Sequence, residues 1–312
     1  MAAEVGDDLQ VVVVDDGSSP EQCTQLHALI SQFGLKVSRS QHIGNSIFEI
    51  QYLSNPSNRG AAFSRNRGLL SATGQFVWFV DADDEVDPAM LHSWWPVLRK
   101  MDSNVDLLHL GPMVQAPSSQ TRTECHCTIA QLHNYTIAQL LNSSNCLDHT
   151  TYWINRQLLM KNLKLRYPAN VQILEDSIFV LNLLDNAKHV VAAHHCRPYI
   201  RHNEAHSITA GAWSPQKSAS FLPSILSFFT CFSAFLEKHN MQYSPRYHRY
   251  CYLYMRVLAV KGVPNKLYRQ MFFNPVIRDG FQPHNLKERL LYTPSIHAII
   301  SLLCRLLRSS HS

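Results

Sequence analysis

The stretch Phe76-Val77-Trp78-Phe79-Val80-Asp81-Ala82-Asp83-Asp84-Glu85 (FVWFVDADDE) is an apolar run that ends abruptly in carboxylates. Side chains of a strand alternate with period 2, so a strand over Phe76–Val80 is expected to carry Asp81 and Asp83 to one side of a sheet's carboxyl edge. Open α/β sheets bind ligands in the crevice at that edge. Two carboxylates there suit a hard divalent cation, Mg²⁺ or Mn²⁺, which in turn suits a phosphate.

The residues on either side place this run inside an alternating pattern. Leu9–Val14 carries the β-branched run Val11–Val14, as expected of a strand buried on both faces. Glu21–Phe33 has apolar residues at helical spacing and stops before Gly34. Ile47–Leu53 reads as a second strand and Ala61–Ala72 as a helix. Pro88 opens a further helix bearing Met90, Leu91, Trp94, Trp95 and Leu98, with Pro in the first turn. Asp106–Leu110 is another short strand, Gly111–Cys127 a loop or hairpin, and helical signals follow at Ile137–Leu141, Arg156–Lys161 and Asp176–Leu184. This β-α-β-α order implies an α/β fold with a mostly parallel sheet and helices on both faces. The alternation stops near residue 212, so a domain over 1–211 and a helical region over 212–312 are expected.

Composition narrows the class. At 46% hydrophobic and 16% charged residues, the 312-residue chain can bury a sizeable core. Its net charge of +5, without Lys/Arg blocks, fits an anionic substrate or a membrane surface and makes no case for nucleic acid. The 8 cysteines include no CxxC pair, and Cys125-His126-Cys127 and His194-His195-Cys196 match no standard zinc spacing, so reduced cysteines of a cytoplasmic protein are expected. The start, MAAEVGDDLQ, has no signal-peptide core. Ser218–Leu236 is uncharged with aromatic and aliphatic residues at helical spacing, and reads as an amphipathic or buried helix rather than a spanning one. Ile296–Arg308 is apolar with Arg305 and Arg308 among leucines; it suits either packing on the catalytic domain or contact with the inner membrane leaflet.

Three more constellations carry chemistry. Asp15-Asp16-Gly17-Ser18-Ser19 ends the first strand; its plain reading is a capped turn, its other reading a ligand site. Asn58-Arg59-Gly60 leads into Arg65-Asn66-Arg67-Gly68, where a helix start suits a phosphate and a solvated basic face is the plainer alternative. Leu174-Glu175-Asp176-Ser177 opens an apolar helix, where an acid serves as a cap or, if it faces the crevice, as a general base. In the leading stretch too, Asp84 or Asp87 can cap the helix at Pro88.

Taken in order, DDGS, NRGAAFSRNRG, FVDADD and LEDSIF resemble the family 2 glycosyltransferases of the GT-A fold, and Trp153–Arg156 and Tyr199-Ile200-Arg201-His202 with Ser207–Thr209 resemble its bacterial surface-polysaccharide members. The resemblance covers roughly residues 9 to 210. It implies transfer of a sugar from a nucleotide-diphosphate donor, most often UDP-linked, to a saccharide or lipid-linked hydroxyl, by inversion and with a divalent cation. It implies that Asp16, with Asp15, holds the base or ribose. Arg65 and Asn66 then line the diphosphate pocket, Asp81 and Asp83 serve the metal with Asp83 the direct ligand, and Asp176 is the general base. Arg201 and His202 fall near a late basic contact to the diphosphate. Family members usually place one more strand and helix before the DDGS strand, which this chain reaches within ten residues of Met1. The resemblance therefore implies either a shortened transferase or a non-catalytic remnant or fragment that binds a nucleotide-sugar or a partner. A phosphatase with an aspartyl nucleophile also uses Asp-x-Asp after a strand, but wants a small pair where this chain has Asp84-Glu85, and it leaves DDGS without a purpose.

Overall fold

β1 (Leu9–Asp15) and β3 (Ser46–Ser54) pair in parallel in the computed structural model, with Asp15 opposite Ser54, and β2 (Arg39–Ile43) adds antiparallel to β3. The structure describes residues 9–32, 39–43, 46–111, 114–115, 133–143, 145–193, 195–202, 214–241, 247–249 and 265–280. The chain divides into two units, one of Met1–Ala169 with Asn182–Asn203, the other of Asn170–Leu181 with Glu204–Ser312.

In the first unit, α1 (Pro20–Gln32) follows β1, and α2 (Ala61–Ser71) lies against it. The close approach is made at Gly68, where a Cβ would come 3.3 Å from Val14 Cγ2. β1 is half-buried along Leu9–Val14 and fully buried only at Asp15, so it is less enclosed than its run of valines predicts.

A second sheet runs in the order β4 (Phe76–Trp78), β9 (Tyr152–Asn155), β6 (Leu107–Leu110), β10 (Val190–Ala193), β8 (His133–Asn134). Its β6–β10 ladder is parallel, whereas β4–β9, β6–β9 and β8–β10 are antiparallel. Against the expectation of a mostly parallel sheet, the described ladders are mixed. The physical reason is that the short β9 inserts antiparallel between β4 and β6, which alternation alone makes neighbours, while β8 adds antiparallel at the edge beside β10. A third small sheet holds β5 (Glu85–Val86), β11 (Tyr199–Arg201) and β7 (Val114–Gln115).

α3 (Pro88–Arg99) starts on Asp87, whose side chain accepts from the Ala89 and Met90 N–H groups, with Pro88 in the first turn. Its apolar face, Leu91, Trp94 and Val97, packs on Leu108, Leu110, Trp153, Val191 and Ala193 of the second sheet. Each such side chain taken from water is worth about 1.5–3 kcal/mol, so this layer is the main anchor of the sheet that positions the acidic turn. Asn155 ends β9 by donating to the Ser103 and Val105 carbonyls, and it caps α5 (Arg156–Lys161) through Oδ1. α4 (Ile137–Asn142) begins with a capping box of Thr136 and Gln139.

α6 (Glu175–Asn186) belongs to the second unit as far as Leu181. That unit also holds α7 (Pro215–Lys238), capped by Ser214 on the Lys217 N–H, with α8 (Asn265–Phe272) and α9 (Pro275–Gly280) packed on it. Phe221, Ile225, Phe228, Phe229, Phe232 and Leu236 form its buried stripe, with Tyr247, Tyr268 and Ile277 buried in the same unit. By length and composition alone α7 also suffices to cross a bilayer, although its sequence reads as amphipathic or buried; 44% of its apolar window is buried. Cys23, Cys146, Cys196 and Cys231 are free thiols. Cys125–Cys127, Ser207–Thr209 and Ile296–Arg308 lie outside the described residues.

Candidate functional site

The strand of FVWFVDADDE stops at Trp78, two residues earlier than its apolar run predicts, because only Phe76–Trp78 find ladder partners on β9. Asp81 to Asp84 form a turn instead, closed by Asp84 N–H on the Asp81 carbonyl at 3.2 Å. Period-2 alternation therefore does not set the direction of these carboxylates. Asp81 is half-buried, Asp83 is exposed, and the Asp84 side chain is only 4% exposed.

Asp81 meets Arg65, whose Nη2 donates to Oδ1 at 2.7 Å, and His149 Nε2 stands 3.6 Å from the same oxygen. Burial works against the charge of Asp81, but His149 and then Arg65 outweigh it and hold the carboxyl well below the usual range. Around them Phe79 and Tyr167 stand edge-on to the His149 ring, and the Arg65 guanidinium lies 5.4 Å from the centre of Tyr167. Asn66, next along α2, forms a reciprocal pair with the Tyr167 backbone at 2.8 and 2.9 Å. α2 thus delivers Arg65 to the acidic turn while its neighbour clasps the segment that supplies Tyr167.

Asp84 is engaged on both oxygens, by Tyr199 Oη at 2.6 Å and by the His202 N–H at 2.8 Å. The Asp81 N–H donates to the same Tyr199 oxygen at 3.1 Å. Burial, then the charge of Asp81 and the bond to Asp84, push the Tyr199 phenol far up, so it stays protonated. Arg201 donates from Nη2 to Asp148 Oδ2 at 2.9 Å, and its Nε lies 3.9 Å from Asp84.

At the end of β1, Asp15 accepts from Ser18 N–H, Tyr52 Oη, Ser54 Oγ and the Cys23 thiol. The Ser18 bonds are foremost in lowering its carboxyl to about 2. Asp16 accepts from Asn55 Nδ2 at 2.7 Å, Arg59 N–H at 2.9 Å and Gly60 N–H at 2.7 Å. Burial opposes its charge and these bonds outweigh burial, so it too is held low. Asp16 thus holds the two N–H groups just ahead of α2, those of Arg59 and of its cap Gly60. Gly17 (φ +78°) allows this fit, since a Cβ there would stand 2.5 Å from the Asn58 nitrogen.

Arg65 and Asp81 are thus brought together, Asp83 stands open beside them, Asp15 ties the β1 end to β3 and α1, and Asp16 ties it to the residues just before α2. Asp176 lies in the second unit at the first turn of α6, its Oδ1 accepting from its neighbour Ser177 N–H at 2.7 Å. Leu174, two residues earlier, has φ +66°, a strained value for a branched side chain. His149, Tyr167, Tyr199 and Asp148 were not singled out as site residues from sequence. Tyr199 sits within a quoted motif, but Asp148-His149 has no motif and is identified only by its contacts.

Chemically, a turn that holds Asp81 ionised and leaves Asp83 exposed, flanked by a guanidinium, fits a hard cation and an anionic ligand together. The glycosyl transferase family 2 model matches residues 2–163. The uncharacterised glycosyltransferase YibD of Escherichia coli K12 is 30% identical over 97 residues, 31% of this chain, and the chain spans only 24% of that relative. Staphylococcus aureus TarS residues 1–349, crystallised with UDP-GlcNAc, superposes with a TM-score of 0.52 at 17% identity, covering 97% of this chain and 86% of that one. The longer TarS chain gives 0.50 at 17% identity over 95% of this chain and 51% of its own. These superpositions give the fold as GT-A. With the family model matching over half its length, the chain belongs to glycosyl transferase family 2.

Proposed function

We propose that this chain transfers a sugar from a nucleotide-diphosphate donor, UDP-linked, to a hydroxyl of a saccharide or lipid-linked acceptor in surface-polysaccharide synthesis, with a divalent cation and inversion at the sugar carbon. The observation that carries this reading is the turn Asp81–Asp84, where Asp81 is held ionised beside Arg65 and Asp83 is exposed with no ion pair among the described residues. That TarS crystallises with UDP-GlcNAc supports a UDP donor.

Asp83, with Asp81 behind it, is assigned the cation, Mg²⁺ or Mn²⁺; when bound, it would stabilise charge growing on the leaving diphosphate. Arg65 adds a fixed positive charge at the same place. Asn66 is assigned the wall of the diphosphate pocket, which its hold on Tyr167 keeps in shape. Asp15 and Asp16 are assigned the base and ribose end, and the bonds they already make favour a wall that is fully organised before the donor arrives. Arg201, paired with Asp148 and Asp84, is assigned to the same diphosphate end as a support.

Asp176 is assigned the general base. The strained turn at Leu174 just before it supports this, because strain of this kind concentrates at functional sites. In the step itself, the acceptor oxygen attacks the sugar carbon on the face opposite the diphosphate, and its proton passes to the Asp176 carboxylate. The bond from carbon to phosphate oxygen breaks, and the diphosphate leaves with the electron pair. We assign residues 1–211 to catalysis and 212–312 to a helical appendage, and place the protein in the cytoplasm.

The test is a screen of UDP-, GDP- and TDP-sugars for metal-dependent binding and hydrolysis, repeated with Asp83→Ala and Asp176→Ala. Asp83→Ala is expected to lose metal-dependent nucleotide binding, and Asp176→Ala to bind but not transfer. If both variants behave as the unmodified protein does, the assignment fails. Binding without turnover by the unmodified protein across all donors and acceptors would favour a non-catalytic nucleotide-sugar binder instead.

A further inference from the structure

We infer that Tyr199 is a positioning residue for the metal-binding turn, acting through Asp84, so that β11 sets the cation affinity of Asp83 without touching the cation. This rests on the metal-dependent reading of Asp81 and Asp83 above. The geometry is specific. A single phenolic oxygen accepts the N–H of Asp81 at 3.1 Å and donates to the Asp84 carboxylate at 2.6 Å, so it bridges the first and last residues of the turn. The other Asp84 oxygen is taken by the His202 N–H at 2.8 Å.

The chain just after the turn is fastened to the same segment. Tyr199 pairs with Val86 and Ile200 with Glu85 in the β5–β11 ladder, and the Asp87 N–H donates to the Pro198 carbonyl at 2.7 Å. Asp81, Asp84, Glu85, Val86 and Asp87 are thus each fastened to Pro198–His202, a segment more than a hundred residues away in sequence. Asp83, one residue before the braced Asp84, is left exposed.

This arrangement separates two tasks that the acidic cluster would otherwise mix. Asp84 is consumed in holding the turn, so its proximity to Asp83 does not add a third ligand. Asp83 presents its carboxylate from a backbone already ordered, and ordering done in advance is not charged against binding. Removing the Tyr199 hydroxyl leaves the ring in place against Trp78, 6.2 Å away, while cutting both contacts to the turn. The expected cost therefore falls on cation binding rather than on folding.

The test uses the full chain carrying Tyr199→Phe. Free Mn²⁺ is followed by electron paramagnetic resonance in the presence of UDP, and donor hydrolysis is followed against Mn²⁺ concentration. The half-saturating Mn²⁺ concentration is expected to rise about tenfold, the size of losing one hydrogen bond to a charged group. The rate at saturating Mn²⁺ is expected to return to within about twofold of the unmodified protein, since the reacting groups are untouched. Asp84→Asn, which leaves one oxygen where two donors converge, is expected to shift Mn²⁺ binding in the same direction and serves if the first variant fails to fold. Unchanged Mn²⁺ binding in the folded variants, or a loss of rate that excess Mn²⁺ does not restore, overturns the inference. If the unmodified protein itself binds no Mn²⁺, the metal-dependent reading falls first and this inference with it.

Discussion

Arg65 Nη2 and Asp81 Oδ1 stand 2.7 Å apart, which joins the middle of α2 to the turn that follows β4. The pair is partly shielded, at 19% and 24% side-chain exposure, so each charge depends on the other more than an exposed pair would. Arg65→Ala is expected to lower kcat/KM for the donor by about 10–100-fold, the equivalent of one lost hydrogen bond to a charged group. Arg65→Lys, which keeps the charge without the fork, is expected to recover only part of that loss. Steady-state kinetics of the two variants checks both.

Asp15 makes acid stability a readout of the β1 end. Its folded carboxyl lies at about 2 against an ordinary 3.8, so the stability it lends is complete above 3.8 and is lost as pH falls towards about 2. Asp16 and Asp81, also held low, add to the same acid limb. Asp15→Asn is expected to lower the melting temperature at neutral pH and to flatten its fall over that acid window. Thermal unfolding scanned against pH measures it.

Gly17 tests whether the DDG turn is as tight as it stands. A side chain there meets both a positive φ and backbone atoms of Ser57 and Asn58 within 3 Å. Gly17→Ala is expected to destabilise the protein by about 2 kcal/mol or more, read by denaturant unfolding.

Asn66 offers a third handle. Its side chain satisfies both the N–H and the carbonyl of Tyr167, so Asn66→Ala is expected to cost about 1–3 kcal/mol of stability. Asn66→Asp, which keeps the acceptor and loses the donor, is expected to fall between. Melting temperatures of the three proteins rank them.

Much of this was legible from residues alone. The helix signals at Pro88, Ile137–Leu141 and Arg156–Lys161 are local, and each gives a helix, which the structure starts on Asp87, Thr136 and Asn155. The order of the acidic and Gly-Arg motifs carried the family. Less legible were the strands Tyr152–Asn155 and Val190–Ala193, short runs whose identity depends on finding ladder partners. The end of β4 was misjudged for the same reason: Phe79 and Val80 are as apolar as Val77 but have no partner strand.

The sequence by itself determined which carboxylates exist, near which turn they fall and to which family they belong, because caps, periodicity and motif order act within a few residues. Only the tertiary structure decided what each carboxylate touches. Asp81 meets Arg65 and His149, Asp16 the backbone of Arg59 and Gly60, and Asp84 the hydroxyl of Tyr199. These partners lie far apart in sequence and meet through sheet order and helix packing, so no local pattern encodes the pairing. That is why three adjacent acids, indistinguishable in FVDADD, divide into one held by cations, one left open and one bound into the frame.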